Sequence, residues 1–352
     1  KAFHLIYFYK NNTFILFNFV PMIKPLFFIL TAFLVFACGS LEEEQDKHLT
    51  LDQLVQKYPD SIPLLQQRAN RSLDSLDYKL LLTDAAHAFR LDSSSNENRL
   101  LYALALINKK DFLASDFSSA QYHFGKVLKK DPKNLKAIIG MASVSSFRGD
   151  LENAFTLINK ALRINPRYRD AYILKGSIYL SQGNYKLAKS SYETAVQQDN
   201  KFFLGYMMLG TIYQYEKNPL CIEYFTTASK LKPTNAEVAY SLAYATYEFG
   251  KIEEAKQLYR RMAGLDSTYC EAYFHLGYIQ QFDDENLDSA MYFYGKSLEI
   301  NPKHMETLHN LGLIYEDKGD ISNALLTYAK VLKVNPEYQL TKDRVAVLKN
   351  RR

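Results

Sequence analysis

An all-α fold of stacked helical hairpins is what this sequence predicts, and three observations carry the prediction. A pattern of small and aromatic residues returns at a spacing of about 34 residues. Within each return, apolar residues fall at helical spacing in two runs parted by a short turn. A proline, or a residue standing in its place, closes each return. A repeat of this length is one supersecondary unit, which buries its apolar face only against its neighbours.

One copy of the pattern is Tyr172, Gly176, Tyr179, Ala188, Tyr192 and Ala195; another is Leu311, Gly312, Tyr315, Ala324, Tyr328 and Pro336. Aligning the copies gives eight units: 62–95, 96–134, 135–168, 169–202, 203–235, 236–269, 270–304 and 305–338. The small position of the first helix, helix A, is Ala69, Ala103, Ala142, Gly176, Gly210, Ala243, Gly277 and Gly312. That of the second, helix B, is Leu81, Ala120, Ala154, Ala188, Cys221, Ala255, Ala290 and Ala324. Small residues belong where two helix axes approach to about 8 Å. The closing position reads Ser93, Pro132, Pro166, Asn200, Pro233, Ser267, Pro302 and Pro336. Length changes fall in the Lys109–Ser119 turn, near Pro219 and near Asp284. Turns lie outside a stacked core and tolerate them.

The pattern resembles the tetratricopeptide repeat over nearly all of 62–338. The resemblance implies a right-handed superhelical α-solenoid, with helix A lining the concave surface and helix B outside. It also implies a binding module rather than an enzyme. Residues 339–352 carry Leu340, Val345, Val347 and Leu348 among basic residues. They read as a capping helix or as a frayed tail.

The amino end reads as an address. Residues 1–37 hold no Asp or Glu and are strongly apolar. Residues 1–21 read as an upstream extension ahead of a start at Met22. From there, 22–37 has the layout of a secretory signal: a short basic start at Lys24, an apolar run, and small residues before the cut. The run Ala37-Cys38-Gly39-Ser40 resembles the lipobox of bacterial lipoproteins, which implies a lipid on Cys38. The competing reading is a membrane anchor. Pro25–Ala37 is short for that, since a span takes about 20 apolar residues. Residues 38–61 then form a tether and a helical lead-in. Its acidic run Glu42-Glu43-Glu44 is a solvated tether or resembles an export tag toward the outer face of an outer membrane.

The chain has 352 residues and a formal net charge of +5. Removing Lys1, Lys10 and Lys24 with the leader leaves it close to neutral. No clustered basic face speaks for nucleic acid. Of three cysteines, Cys221 and Cys270 remain after Cys38, a whole unit apart, and are expected to be free thiols.

The family's ligand-facing places carry over to Met207, Thr211, Gln214 and Tyr215 in the fifth unit. They fall on Glu237, Tyr240, Tyr244, Tyr247 and Glu248 in the sixth, and Glu271, Phe274, Tyr278, Gln281 and Phe282 in the seventh. The eighth offers Glu306, His309, Leu313, Glu316 and Asp317. Met207, Tyr215, Tyr240, Tyr244, Tyr247, Phe274, Tyr278, Phe282 and His309 are the candidate groove. Tyr240, Tyr244 and Tyr247 share one helix face by spacing alone, beyond the core stripe Ala239, Leu242, Ala243 and Thr246. Such a wall gives large contact area at low entropy cost. The plainer reading is that neighbouring helices A pack these rings together.

Two specialised ligand modes of the family are not supported. A carboxylate clamp needs Lys at the fifth place of helix A and Asn at the ninth; the fifth is never Lys, and the ninth is Asn only at Asn70. Of the sixth places, only Asn310 fits an Asn ladder. Phosphate-binding, zinc-protease and CxxC motifs are absent from the sequence. The stretch Asp283-Asp284-Glu285-Asn286-Leu287-Asp288 resembles a calcium loop but lacks the turn Gly and the late bidentate Glu, so it reads as an exposed turn, and His275 with His309 is a thin metal pair. No cofactor is implied. The expectation is a non-enzymatic, lipid-anchored scaffold of the bacterial envelope, on the outer membrane, facing the periplasm or the outside, that binds a protein or peptide. The alternatives are a surface glycan- or nutrient-binding lipoprotein, or an accessory subunit of an envelope enzyme. The absence of Trp weighs against sugar stacking.

Overall fold

A computed structural model describes residues 46, 48–75, 77–265 and 268–350. The leader, Cys38 and the closing residue Ser267 lie outside the described residues. Among the described residues there are 18 helices and no strand, so the fold is all-α. The chain forms two compact units, one ending at Phe202 and the other beginning at Phe203.

The N-terminal unit opens with the short α1 (Leu51–Lys57). Four hairpins follow: α2 (Ile62–Ser75) with α3 (Tyr78–Leu91), and α4 (Asn96–Asn108) with α5 (Ala114–Lys130). Then come α6 (Leu135–Phe147) with α7 (Leu151–Ile164), and α8 (Arg169–Ser181) with α9 (Tyr185–Gln198). The C-terminal unit holds α10 (Phe203–Tyr215) with α11 (Leu220–Leu231), and α12 (Ala236–Glu248) with α13 (Ile252–Leu265). It continues with α14 (Cys270–Phe282) and α15 (Leu287–Ile300), then α16 (Met305–Asp317) and α17 (Ile321–Val334). A last helix, α18 (Gln339–Asn350), packs on α17.

Local chemistry sets the helix ends. Asx side chains cap many starts: Asn134, Asp150, Asn184, Asn235, Asn286 and Asp320 each accept from the backbone N–H three residues on. In four hairpins helix B stops at an Asx residue followed by Pro. Asn165, Asn301 and Asn335 each accept a backbone N–H two residues on, at 2.9–3.1 Å, closing an Asx turn across the proline. In six of the hairpins the turn between helices A and B holds one left-handed residue. Gly149, Gly183, Gly250 and Gly319 supply it with φ of 72–79°. Where the turn length departs from the rule, Lys217 (φ 57°) and Glu285 (φ 55°) take that strained place.

Small helix A residues meet large helix B rings. A Cβ placed on Gly277 would lie 2.5 Å from the Tyr294 ring, and one on Gly210 2.6 Å from Phe225. Gly312 faces Tyr328, and Gly176 faces Tyr192, in the same way. These rings are fully buried and fill each hairpin, which is why glycine is required opposite them. The helix B aromatics Tyr192, Phe225, Tyr259, Tyr294 and Tyr328 are thus the cores of their hairpins.

Candidate functional site

The aromatics of the sixth and seventh helices A come together as one layer in the C-terminal unit. On α12, Tyr240 and Tyr244 stack with ring centroids 5.9 Å apart. His275 of α14 packs against both, at 5.5 and 5.7 Å. The Tyr240 hydroxyl lies 3.2 Å from His275 Nε2. Further along the same helices, Tyr247 meets Tyr278 edge-on at 6.1 Å, and Tyr278 meets Phe282 at 4.6 Å. The Tyr247 hydroxyl donates to Asp283 Oδ2 at 3.0 Å. Burial pushes the tyrosine hydroxyls of this layer above their ordinary pKa, so they stay neutral donors.

Exposure divides the nine candidates. Met207, Phe274 and His309 are buried. Phe274 sits between Tyr294 and His304, at 6.2 and 5.2 Å. His309 Nδ1 lies 2.9 Å from Thr341 Oγ1 of α18, so this side chain docks the last helix. Tyr240, Tyr244, Tyr247 and Tyr278 are half-buried. Tyr215 and Phe282, at the C-terminal ends of α10 and α14, are 52% and 48% exposed. The open part of the layer therefore lies at the helix A C-termini. Acidic groups border it: Glu248 accepts from Gln214 at 2.8 Å and pairs with Lys217, and Asp283 and Asp284 follow Phe282.

The acidic turn after α14 is exposed, and Asp284 pairs with Lys256 at 2.6 Å. His275 and His309 serve different neighbours: His275 stacks on Tyr259 at 4.8 Å, while His309 reaches Tyr328, Tyr338 and Thr341. Cys221 and Cys270 are free and buried. Sequence reading passed over one cluster. Cys270, Glu271 and His304 place their ligand-capable atoms within 4.8 Å of one another. The signal was available: Cys270 opens one unit and His304 immediately precedes the next helix A.

The tetratricopeptide repeat model matches residues 170–202, 271–304 and 306–338. The chain contains tetratricopeptide repeats. Its fold is similar to the C-terminal part of a TPR repeat-containing protein from Cytophaga hutchinsonii, with a TM-score of 0.55 at 19% identity over 65% of this chain and 94% of that one. It is also similar to the Cut9–Hcn1 assembly of the APC/C, with a TM-score of 0.53 at 16% identity over 88% of this chain and 60% of that one. YrrB, a TPR protein with an unusual peptide-binding site, overlays with a TM-score of 0.46 at 25% identity over 53% of this chain and 96% of that one. The first two likenesses concern the fold.

Proposed function

We propose that the protein is a non-enzymatic scaffold that binds a partner protein or peptide on the helix A face of the sixth and seventh repeats. One observation carries this reading: Tyr247, Tyr278 and Phe282 form a continuous, partly open aromatic surface across two helices, with half-buried Tyr244 beside His275 on the same two helices. The surface is more than hairpin cores require, because each core is already filled by its helix B ring. Exposed rings with polar tips favour protein contact. Glu248 and Asp283 at the border favour a partner segment with some positive charge.

The site of action in this proposal is the bacterial envelope. The basic, apolar, small-residue order of 22–37 and the Cys38 that follows support a lipid anchor. Two or more acyl chains make such anchoring stable. Among the described residues, no helix is long and apolar enough to cross a membrane. Metabolic labelling with a palmitate analogue tests this: label on the wild type and none on Cys38→Ser is expected. Protease shaving of intact cells separates a periplasmic from an outward-facing scaffold.

The binding surface is tested by pull-down from detergent-solubilised envelope with the wild type and with Tyr244→Ser plus Phe282→Ser. Neither ring fills a hairpin core, so the variant should stay folded, with a single cooperative melt somewhat below that of the wild type. A protein held by the wild type and lost from the variant supports the site. Equal retention by both removes it. Retention of polysaccharide instead of protein would turn the reading to a glycan-binding lipoprotein.

A further inference from the structure

We propose that Cys270, Glu271 and His304 form a Zn²⁺ site that ties the first turn of α14 to the start of α16. The three donors are of mixed type, thiolate, carboxylate and imidazole, and lie within 4.8 Å of one another. That set suits a borderline-soft divalent ion and not calcium or magnesium, which take all-oxygen shells. Cys270 Sγ stands 3.4 Å from Glu271 Oε2. Zinc–sulfur and zinc–oxygen bonds of about 2.3 and 2.0 Å at a tetrahedral angle separate the two ligands by roughly 3.5 Å. Two of the three donors are therefore already at the spacing the ion requires, and the imidazole offers the third within 4.8 Å of both.

A buried pair of hydroxyls is placed to orient the imidazole in the tautomer a metal would need. Thr307 Oγ1 lies 2.7 Å from His304 Nδ1, and Ser297 Oγ lies 3.1 Å from Thr307 Oγ1. Ser297 and Thr307 have no exposed surface. With Nδ1–H donating to Thr307, and Thr307 donating on to Ser297, Nε2 is left as a lone pair for the metal. A second-shell hydrogen bond of this kind accompanies most metal-bound histidines. The Thr307 backbone N–H is also 3.2 Å from Nδ1, the alternative arrangement in which His304 is only a helix cap. The Phe274 ring, 5.2 Å from His304, walls one side. Glu306 Oε2, 3.8 Å from Nδ1, adds negative charge nearby. Two anionic ligands would neutralise a divalent ion, and three protein ligands leave a fourth position for water or for a partner's side chain. The ion would clamp the seventh repeat to the eighth.

Cobalt titration of the full chain, made metal-free and kept reduced, tests the site. One Co²⁺ per chain is expected, with a thiolate-to-cobalt charge-transfer band that Zn²⁺ abolishes. Cys270→Ser loses the band and Cys221→Ser keeps it. His304→Asn retains a good helix cap, so the hairpin stays folded, and it weakens binding at least about 100-fold. Thr307→Val, which breaks the relay, weakens it about 10-fold. A wild type without the band overturns the proposal, as does a band that survives Cys270→Ser, or a cobalt affinity unchanged in His304→Asn, in a folded protein. Binding without thiolate absorption means adventitious surface coordination, which also overturns it.

Discussion

The two units solve the same packing problem with different volumes. In the first three hairpins of the N-terminal unit the helix A positions are Ala69, Ala103 and Ala142, and the buried side chains are mostly aliphatic, Leu65, Leu73, Leu81, Leu101, Ile138 and Ile158 beside Phe124; its fourth hairpin, with Gly176 against Tyr192, already follows the other scheme. In the C-terminal unit, Gly210, Gly277 and Gly312 face the buried rings of Phe225, Tyr294 and Tyr328. Volume is traded across each hairpin: what helix A gives up, helix B fills. The exception is informative. Ala243 keeps its methyl in the hairpin of Tyr259, and Tyr259 is the ring whose buried hydroxyl has no partner. Tyr294 donates to Gln281 at 2.8 Å and accepts from Asn310 at 3.1 Å, and Tyr328 donates to Glu316. Gln281 and Glu316 sit four residues after their glycines; the matching residue after Ala243 is Tyr247.

The largest way to break this contrast is Gly277→Ala. Its methyl meets the Tyr294 ring, and the overpacking outweighs the helix-propensity gain, for a net loss of about 2 kcal/mol. Ala142→Gly in the N-terminal unit should cost only about 1 kcal/mol, from backbone entropy. Urea melts of the two variants give the ranking directly. The hydroxyls sharpen it further. Tyr294→Phe strands Gln281 and Asn310 and should cost about 1–2 kcal/mol, whereas Tyr259→Phe removes an unpaired buried group and should be neutral or stabilising. A Tyr259→Phe loss as large as that of Tyr294→Phe would show a missed partner.

A smaller effect lies in the turns. Glu285→Gly relieves a left-handed residue at φ 55° and should gain about 1 kcal/mol. Gly183→Ala, at φ 72°, should lose a similar amount, about 1 kcal/mol. Thermal melts check the opposite signs.

The smallest effect is on pH. Burial, helped by Arg344, holds His309 below the ordinary histidine value. The unfolded chain then binds the proton more readily, so this contribution is present above about pH 6.5 and is lost as pH falls through it. Burial pushes Asp170 up to about 6 against the pull of Arg169. There the native state holds the extra proton, so that contribution is present at low pH and is lost as pH rises through about 6. Acidification from pH 7 to 5 should therefore loosen α16–α18 more than α8–α9, read as hydrogen exchange by peptide. His309→Asn should flatten the first trend and Asp170→Asn the second.

Much of this was legible beforehand because it is local or periodic. Gly176, Gly277 and Gly312 mark close helix approach, Asn301-Pro302 and Asn335-Pro336 mark where helix B must stop, and the all-α class follows from them. The aromatic layer was legible as a stripe, since Tyr240, Tyr244 and Tyr247 share a face by spacing. Which of those rings stay open was not. Phe274 and Phe282 read alike in a stripe, yet one is enclosed by Tyr294 and His304 and the other ends its helix in solvent. His309 read as groove, but the last helix covers it through Thr341.

By itself the sequence determined the repeat, its hairpins and its free thiols, because these depend on backbone sterics and on residue size at fixed intervals. Tertiary structure alone decided exposure and convergence. Whether a ring is wall or core depends on what the next repeat lays against it. Cys270, Glu271 and His304 meet only because one repeat turns the chain back beside the start of the other, which no spacing within a single helix expresses.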